Sequence, residues 1–169
     1  YMIYRKILKE IEDWNALHRS EALLIDGARQ VGKTFIVREF ARSHFKSFVE
    51  LNFLKDKKLK GLFLGVSDEK EVLTRISAVA GVKLIPNETL IFLDEIQECP
   101  EAVTYIKFLV DEGRYRYIMS GSLLGVELKD IRSVPVGYLR ELTMYPVDFE
   151  EFARAMGVSD EVFSHLKTR

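Results

Sequence analysis

Residues 27–34 read GARQVGKT. It fits the pattern G-x-x-x-x-G-K-[ST] of loops that cradle phosphate groups. Gly27 and Gly32 allow backbone conformations that other residues disfavour, so successive N–H groups can point at phosphate oxygens. Lys33 supplies a positive charge for the β and γ phosphates, and Thr34 supplies a hydroxyl for Mg²⁺. We expect a nucleotide to contact Gly27, Ala28, Arg29, Gln30, Val31, Gly32, Lys33, Thr34 and Phe35.

The segments on either side of the loop support this interpretation. An apolar run of strand length, ALLI at residues 22–25, precedes the first glycine. Residues 34–41 follow as a helix, with Ile36, Val37 and Phe40 at helical spacing. The order strand, loop, helix adds the positive end of a helix dipole to the phosphate site. The alternative is an ordinary turn between a strand and a helix.

A second signal is the stretch LIFLDE at residues 90–95. Four apolar residues in a row are typical of a buried parallel strand, and the two acids would emerge at the edge where open α/β sheets bind ligands. We expect Asp94 to hold Mg²⁺, directly or through a water, and Glu95 to orient and deprotonate the attacking water. The alternative is a strand end with two solvated acids.

A third segment, YRYIM at residues 115–119, reads as another strand and is followed by Ser120, Gly121 and Ser122. A small hydroxyl residue there can reach the γ-phosphate or the attacking water, a position called sensor 1 in related ATPases. Ser120 is the first candidate for this catalytic contact and Ser122 the second. Turn chemistry is the competing explanation, because Ser and Gly are common in turns.

Composition sets limits on the class of protein. The 169 residues suffice for one domain with a substantial core, and the formal net charge of -1 gives no indication of nucleic acid binding. The basic cluster KDKKLK at residues 55–60 is more typical of a solvated helix face. A single cysteine, Cys99, fits a reducing, cytoplasmic location. No apolar run reaches the length of a membrane span.

The remaining patterns predict three regions. Residues 1–19 read as an amphipathic N-terminal helix, with Ile3, Ile7, Leu8, Ile11 and Trp14 on one face. Residues 20–146 alternate strands and helices, which predicts a three-layer α/β/α domain with a mostly parallel sheet of about five strands. Residues 147–169 read as the helical start of a further region, so we expect a fragment of a longer protein.

Together, GARQVGKT, LDEIQ, SGSLLG and the later SVPVGYLRELTMYPVDFEEF resemble the prokaryotic AAA_14-type ATPases, which usually carry a C-terminal DUF4143 domain. The resemblance covers essentially the whole chain. It implies a P-loop core with the strand order 5-1-4-3-2, related to the AAA+ and STAND-like ATPases. In that order the Ser120 strand lies between the phosphate-loop strand and the Asp94 strand. The expected partners are ATP and ADP, the missing C-terminal domain and further copies of the chain.

These observations lead to an expected function, an ATP-binding and ATP-hydrolysing domain that depends on Mg²⁺. Many members of such families read G-R where this chain has Gly137 and Tyr138. Arg132 and Arg140 are the nearby substitutes for a phosphate-facing arginine. Because Tyr138 stands where those members have the arginine, we expect slow ATP turnover from these 169 residues alone. The alternatives are a nucleotide-binding regulatory switch with little hydrolysis and a small-molecule kinase.

Overall fold

The computed structural model describes residues 2–27, 32–122 and 137–145. Its four α-helices in this part of the chain are α1 (Met2–Leu17), α2 (Lys33–His44), α3 (Glu69–Ala80) and α4 (Pro100–Glu112). Its strands are β1 (Ala22–Asp26), β2 (Ser47–Asn52), β3 (Thr89–Asp94), β4 (Arg116–Gly121) and β5 (Leu139–Thr143). Two 3₁₀ segments, Lys57–Phe63 and Ile96–Glu98, complete the described elements.

The five strands form one sheet in the order β2-β3-β4-β1-β5, and every neighbouring pair is parallel. This is the expected order 5-1-4-3-2 read from the other side, so the predicted P-loop fold is confirmed. A parallel sheet places the carboxyl ends of its strands at one edge. Registers at that edge align Asn52 with Asp94, Asp94 with Ser120, and Asp26 with Gly121.

Helices cover both faces of the sheet. On one face, α1 and α2 bury Ile11, Trp14 and Phe40 against β1, β3 and β4. On the other, α3 and α4 bury apolar side chains such as Ile76 and Ile106 against the same strands. Because both faces are covered, β3 and β4 are buried along their whole length, whereas the edge strand β2 is only partly buried.

The ends of several elements differ from those expected. Ser120 and Gly121 lie inside β4, buried and paired with β1, so the turn interpretation of these two residues is wrong. The segment after β2 is a 3₁₀ helix and not an α-helix. Asp68 caps α3, because its side chain accepts a hydrogen bond of 3.0 Å from the Glu71 N–H. The helix expected from Asp148 lies outside the described residues.

Candidate nucleotide-binding site

The loop expected to bind phosphate joins the carboxyl end of the central strand β1 to the start of α2. Its first glycine, Gly27, donates its N–H to the Gly121 carbonyl of β4 at 3.3 Å. Its last glycine, Gly32, has φ 88° and precedes the helix directly, a left-handed conformation that favours glycine. Residues 28–31, which include the predicted contacts Ala28, Arg29, Gln30 and Val31, lie outside the described residues.

Lys33 opens α2 and is 7% exposed, which is unusual for a lysine. Its Nζ donates a hydrogen bond to the Gly27 carbonyl, so the ammonium lies against the first residue of the loop. Gly32, at the N-cap, has no side chain that could cap the helix. The first N–H groups of α2 therefore remain suited to an anion. Phe35, also in the first turn, is 41% exposed.

Asp94 ends β3 and points to the start of α2. Its Oδ2 accepts a hydrogen bond of 2.7 Å from the Thr34 hydroxyl, and its Oδ1 accepts one of 2.9 Å from the Glu95 N–H. The Asn52 side-chain amide, at the end of β2, lies 3.5 Å from Asp94 Oδ2. Two residues that the sequence assigned to Mg²⁺, Thr34 and Asp94, are thus in direct contact although sixty positions apart.

The Asp94 carboxylate is only 2% exposed, and burial is the main cause of a pKa raised above the ordinary value for aspartate. The hydrogen bonds from Thr34 and from the Glu95 N–H act in the opposite direction. Among the ion pairs of the described residues, none includes Asp94. A buried carboxylate without a cationic side chain is costly unless a cation joins it.

These oxygen donors fit Mg²⁺. The ion prefers few protein ligands and completes its shell with water and substrate phosphates. No group of three or more His, Cys, Asp or Glu side chains suited to a metal occurs in residues 2–27, 32–122 and 137–145. A magnesium site here would accordingly rest on Thr34 and Asp94, with the remaining positions open to phosphate and water.

Glu95 follows β3 in a left-handed conformation, with φ 56° and ψ 50°, which is uncommon for a residue other than glycine. This backbone conformation turns the chain sharply into the 3₁₀ segment Ile96–Glu98. The Glu95 carboxylate oxygen Oε2 accepts a hydrogen bond of 2.6 Å from the Gln97 side-chain amide. The two neighbouring carboxylates thus have different partners: Asp94 accepts from Thr34 and the Glu95 N–H, and the Glu95 carboxylate accepts from Gln97.

Ser120 lies between β3 and β1 at the carboxyl edge, paired in register with Asp94 and with Ile25. It is fully buried, and its Oγ has no hydrogen-bond partner in the described part of the chain. A buried hydroxyl without a partner is rare and calls for a ligand or a water. Ser122, the second candidate, is half-buried just beyond the strand.

Neither Tyr138 nor Arg140 lies at this edge of the sheet in the same chain. The Tyr138 hydroxyl donates to Asp111 of α4 at 3.4 Å, and the Lys107 Nζ lies 5.5 Å from the Tyr138 ring. Arg140 contacts His18 and Glu21, which precede β1 and so lie at the opposite edge of the sheet. The suggestion that Arg140 substitutes for a phosphate-facing arginine is therefore wrong within one chain. Arg132 is outside the described residues.

Two residues of this cluster received no role from the sequence. Asn52 touches Asp94, and its position at the end of a strand that pairs with β3 could have identified it. Gln97 belongs to the LDEIQ motif, but its contact with Glu95 depends on the backbone turn at Glu95, which the sequence pattern does not indicate.

The comparison with protein families agrees with this geometry. Residues 19–153 match the model of AAA_14, described as an AAA domain. The chain belongs to the AAA_14 family. Membership in this AAA family supports nucleotide binding of the ATPase type. Comparison with curated proteins gives no match.

Solved structures resemble this AAA domain in fold. The Pif1 helicase from Candida albicans has a TM-score of 0.52 and 13% identity, over 86% of this chain and 39% of that one. PCH-2 from C. elegans has a TM-score of 0.49 and 12% identity, over 83% of this chain and 42% of that one. The chain thus spans less than half of the length of either protein. Identities this low concern the fold alone.

A search of the described helices for a membrane span gives a negative result. No helix in residues 2–27, 32–122 or 137–145 is both long enough and apolar enough to cross a bilayer.

Proposed function

We propose that this chain is a Mg²⁺-dependent ATPase domain, which binds ATP at residues 27–35 and hydrolyses it with Glu95 as general base. The observation that carries the proposal is the hydrogen bond of 2.7 Å between Thr34 and Asp94. It brings the helix that follows the glycine loop into contact with the acidic end of β3. Two motifs distant in the sequence thereby form one site with the donors that Mg²⁺ and phosphate require.

Each group has a distinct part in the proposed reaction. The glycine-loop N–H groups and the start of α2 bind the phosphates, and the Lys33 ammonium neutralises the charge that develops on the γ-phosphate. Thr34 and Asp94 would hold Mg²⁺, which when bound supplies further positive charge to the phosphate oxygens. Glu95 takes the proton of the attacking water. The buried Ser120 hydroxyl donates to the γ-phosphate or to that water.

A second candidate function, a nucleotide-dependent switch with slow turnover, is favoured by the arginine positions. Tyr138 contacts α4, and Arg140 contacts residues at the opposite edge. A positioned arginine is worth roughly 10³–10⁵ in the rate of phosphoryl transfer, so a site that Arg140 does not reach would bind nucleotide but hydrolyse it slowly unless another arginine supplies that charge. An arginine from a second copy or from a further domain would convert the switch into an active ATPase.

The test separates binding from hydrolysis with Glu95→Gln. This variant removes the base but not the phosphate contacts, so it should bind Mg·ATP like the parent. Hydrolysis in single turnover should fall by about 10²-fold or more. Glu98→Gln, in the same 3₁₀ segment, is the matched control and should hydrolyse at the parent rate. Equal rates for Glu95→Gln and the parent would show that Glu95 is not the base, and a parent that binds no Mg·ATP would overturn the whole proposal.

A further inference from the structure

The Glu95 carboxylate is held by a side chain two residues further along. The left-handed turn at Glu95 leads into the 3₁₀ segment Ile96–Glu98, which is closed by a 3.0 Å hydrogen bond from the Glu98 N–H to the Glu95 carbonyl. This turn folds Gln97 back, and its Nε2 donates to Glu95 Oε2 at 2.6 Å. A glutamate has three rotatable side-chain bonds, so an anchor on one oxygen greatly restricts where the other can lie.

Gln97 is itself fixed by close packing against β4. Its Oε1 is buried and has no hydrogen-bond partner in the described part of the chain. A Cβ atom placed on Gly121 would collide with this oxygen and would also lie 3.1 Å from Ile96 Cγ2. Only glycine at position 121 therefore leaves room for the Gln97 amide. A buried carbonyl oxygen without a hydrogen bond is energetically costly and calls for an explanation. A role of the amide in holding Glu95 provides one.

The location of this packing connects it to the candidate nucleotide site. The Gly121 carbonyl accepts the N–H of Gly27, the first residue of the phosphate loop, at 3.3 Å. Gly121 also follows Ser120 directly at the end of β4. Gln97 therefore lies over the junction between the phosphate loop and β4, and it draws the Glu95 carboxylate toward that junction.

We propose that Gln97 is the positioning residue for Glu95, and that Gly121 is the glycine that admits it. The Gln97 amide holds Glu95 Oε2, leaving Oε1 to accept the proton of a water at the carboxyl edge of β4. This inference rests on the proposed function, because it explains how the carboxylate of the general base Glu95 is oriented. Gln97 touches neither phosphate nor metal in this role and acts through Glu95 alone.

The experiment compares single-turnover ATP hydrolysis and Mg·ATP affinity for the parent, Gln97→Leu, Glu95→Gln and the double variant. Gln97→Leu keeps the approximate size of the side chain but removes the donor. It should retain the parent affinity and hydrolyse about 10–100-fold more slowly, the loss usual for residues that orient a ligand or base. In the Glu95→Gln background the same substitution should cost no further rate, because the group that Gln97 positions is already lost.

Other outcomes overturn the inference. A rate unchanged by Gln97→Leu would show that Glu95 needs no anchor, and a faster rate would show that Gln97 holds Glu95 back. Equal losses in the parent and Glu95→Gln backgrounds would assign Gln97 a structural role. Gly121→Ala provides the second variant, since it displaces the amide without changing Gln97. It should slow hydrolysis, whereas Gly61→Ala, which has open space around it, should not.

A measurement without turnover distinguishes this inference from the proposed function. The Gln97 side-chain amide gives a ¹⁵N-labelled NMR signal, which Glu95→Ala should shift and Glu98→Ala should not. A signal unaffected by Glu95→Ala would overturn the anchor even in a protein that hydrolyses ATP. Conversely, the expected shift in a parent that binds Mg·ATP but does not hydrolyse it would leave the anchor in place and refute the base.

Discussion

Asp94 combines a buried carboxylate with a proposed role in a cation site. Burial raises its pKa above the ordinary aspartate value, so the folded chain holds the proton more tightly than the unfolded chain. A raised folded-state pKa contributes stability below the unfolded value, and this contribution is lost as the pH rises through the folded value. At neutral pH without Mg²⁺, the ionised Asp94 therefore destabilises the fold.

The raised pKa of Asp94 leads to a prediction about the stability of the Asp94→Asn variant. The variant should have a higher free energy of unfolding than the parent at pH 7 without Mg²⁺ or nucleotide, and the advantage should shrink toward pH 4. It should also lose the extra stability that Mg·ATP gives the parent. Urea unfolding at several pH values measures both effects. The exposed Asp13→Asn is the control, and a less stable Asp94→Asn at pH 7 would contradict the assignment of burial as the dominant cause.

At the scale of elements, Arg116 joins the end of α1 to the sheet. It is 7% exposed, and its guanidinium donates to the carbonyls of Trp14, His18, Arg19 and Glu21 and to the Asn15 side chain, at 3.0–3.4 Å. It also lies 4.1 Å from the Trp14 ring. Burial lowers the pKa of Arg116 to about 10, so it remains a cation at neutral pH. A cation there satisfies the carbonyls that end a helix.

Replacement of Arg116 by Met should therefore destabilise the domain strongly. The buried Trp14 carbonyl and the partly buried carbonyls of His18, Arg19 and Glu21 would each lose a charged donor, and the expected cost is about 3 kcal/mol or more of the free energy of unfolding. Arg116→Lys, with fewer donors, should fall between Met and the parent. Chemical denaturation measures the effect, and Arg114→Met is the control because its pair with Glu112 is half-exposed. Similar costs for Arg114→Met and Arg116→Met would contradict this role.

Elements determined by nearby residues in the sequence were predicted correctly, whereas elements determined by contacts between distant residues were not. Unbroken apolar runs identified β1 and β3, because strands covered on both faces need no polar alternation. Ser120 and Gly121 resembled a turn, yet β4 extends through them because the neighbouring strand β1 provides partners. Strand pairing is a tertiary effect that local residue preferences do not show.

The same distinction applies to the candidate site. Lys33, Thr34 and Asp94 were identified by motif, and the structure places Thr34 against Asp94. The contact between Gln97 and Glu95 was not predictable, because it depends on a left-handed backbone at a glutamate, which residue preferences oppose. Arg140 was a wrong candidate because it lies near the start of β5, paired with Leu23, and the amino ends of parallel strands lie at the edge opposite the candidate site.

For the whole molecule, the parallel sheet is what assembles the site. Strands β2 and β3 end at Asn52 and Asp94, which are in register with each other and with Ser120 near the end of β4, and β1 leads into the loop and α2 beside them. Four neighbouring strands thus bring residues at or near their carboxyl ends to one edge, where the positive end of α2 also lies. We therefore expect binding of Mg·ATP to depend on this edge and on the buried Lys33 described there.

The most direct measurement is calorimetric titration of Mg·ATP into the parent, Lys33→Ala and the control Lys46→Ala. Lys46 is exposed and precedes β2, at the opposite edge of the sheet. We expect the parent and Lys46→Ala to bind Mg·ATP with the same affinity. A charged hydrogen bond of about 1.5–3 kcal/mol corresponds to roughly a hundredfold weaker binding by a folded Lys33→Ala. Equal affinity of folded Lys33→Ala and the parent would contradict the assignment of residues 27–35 as the nucleotide site.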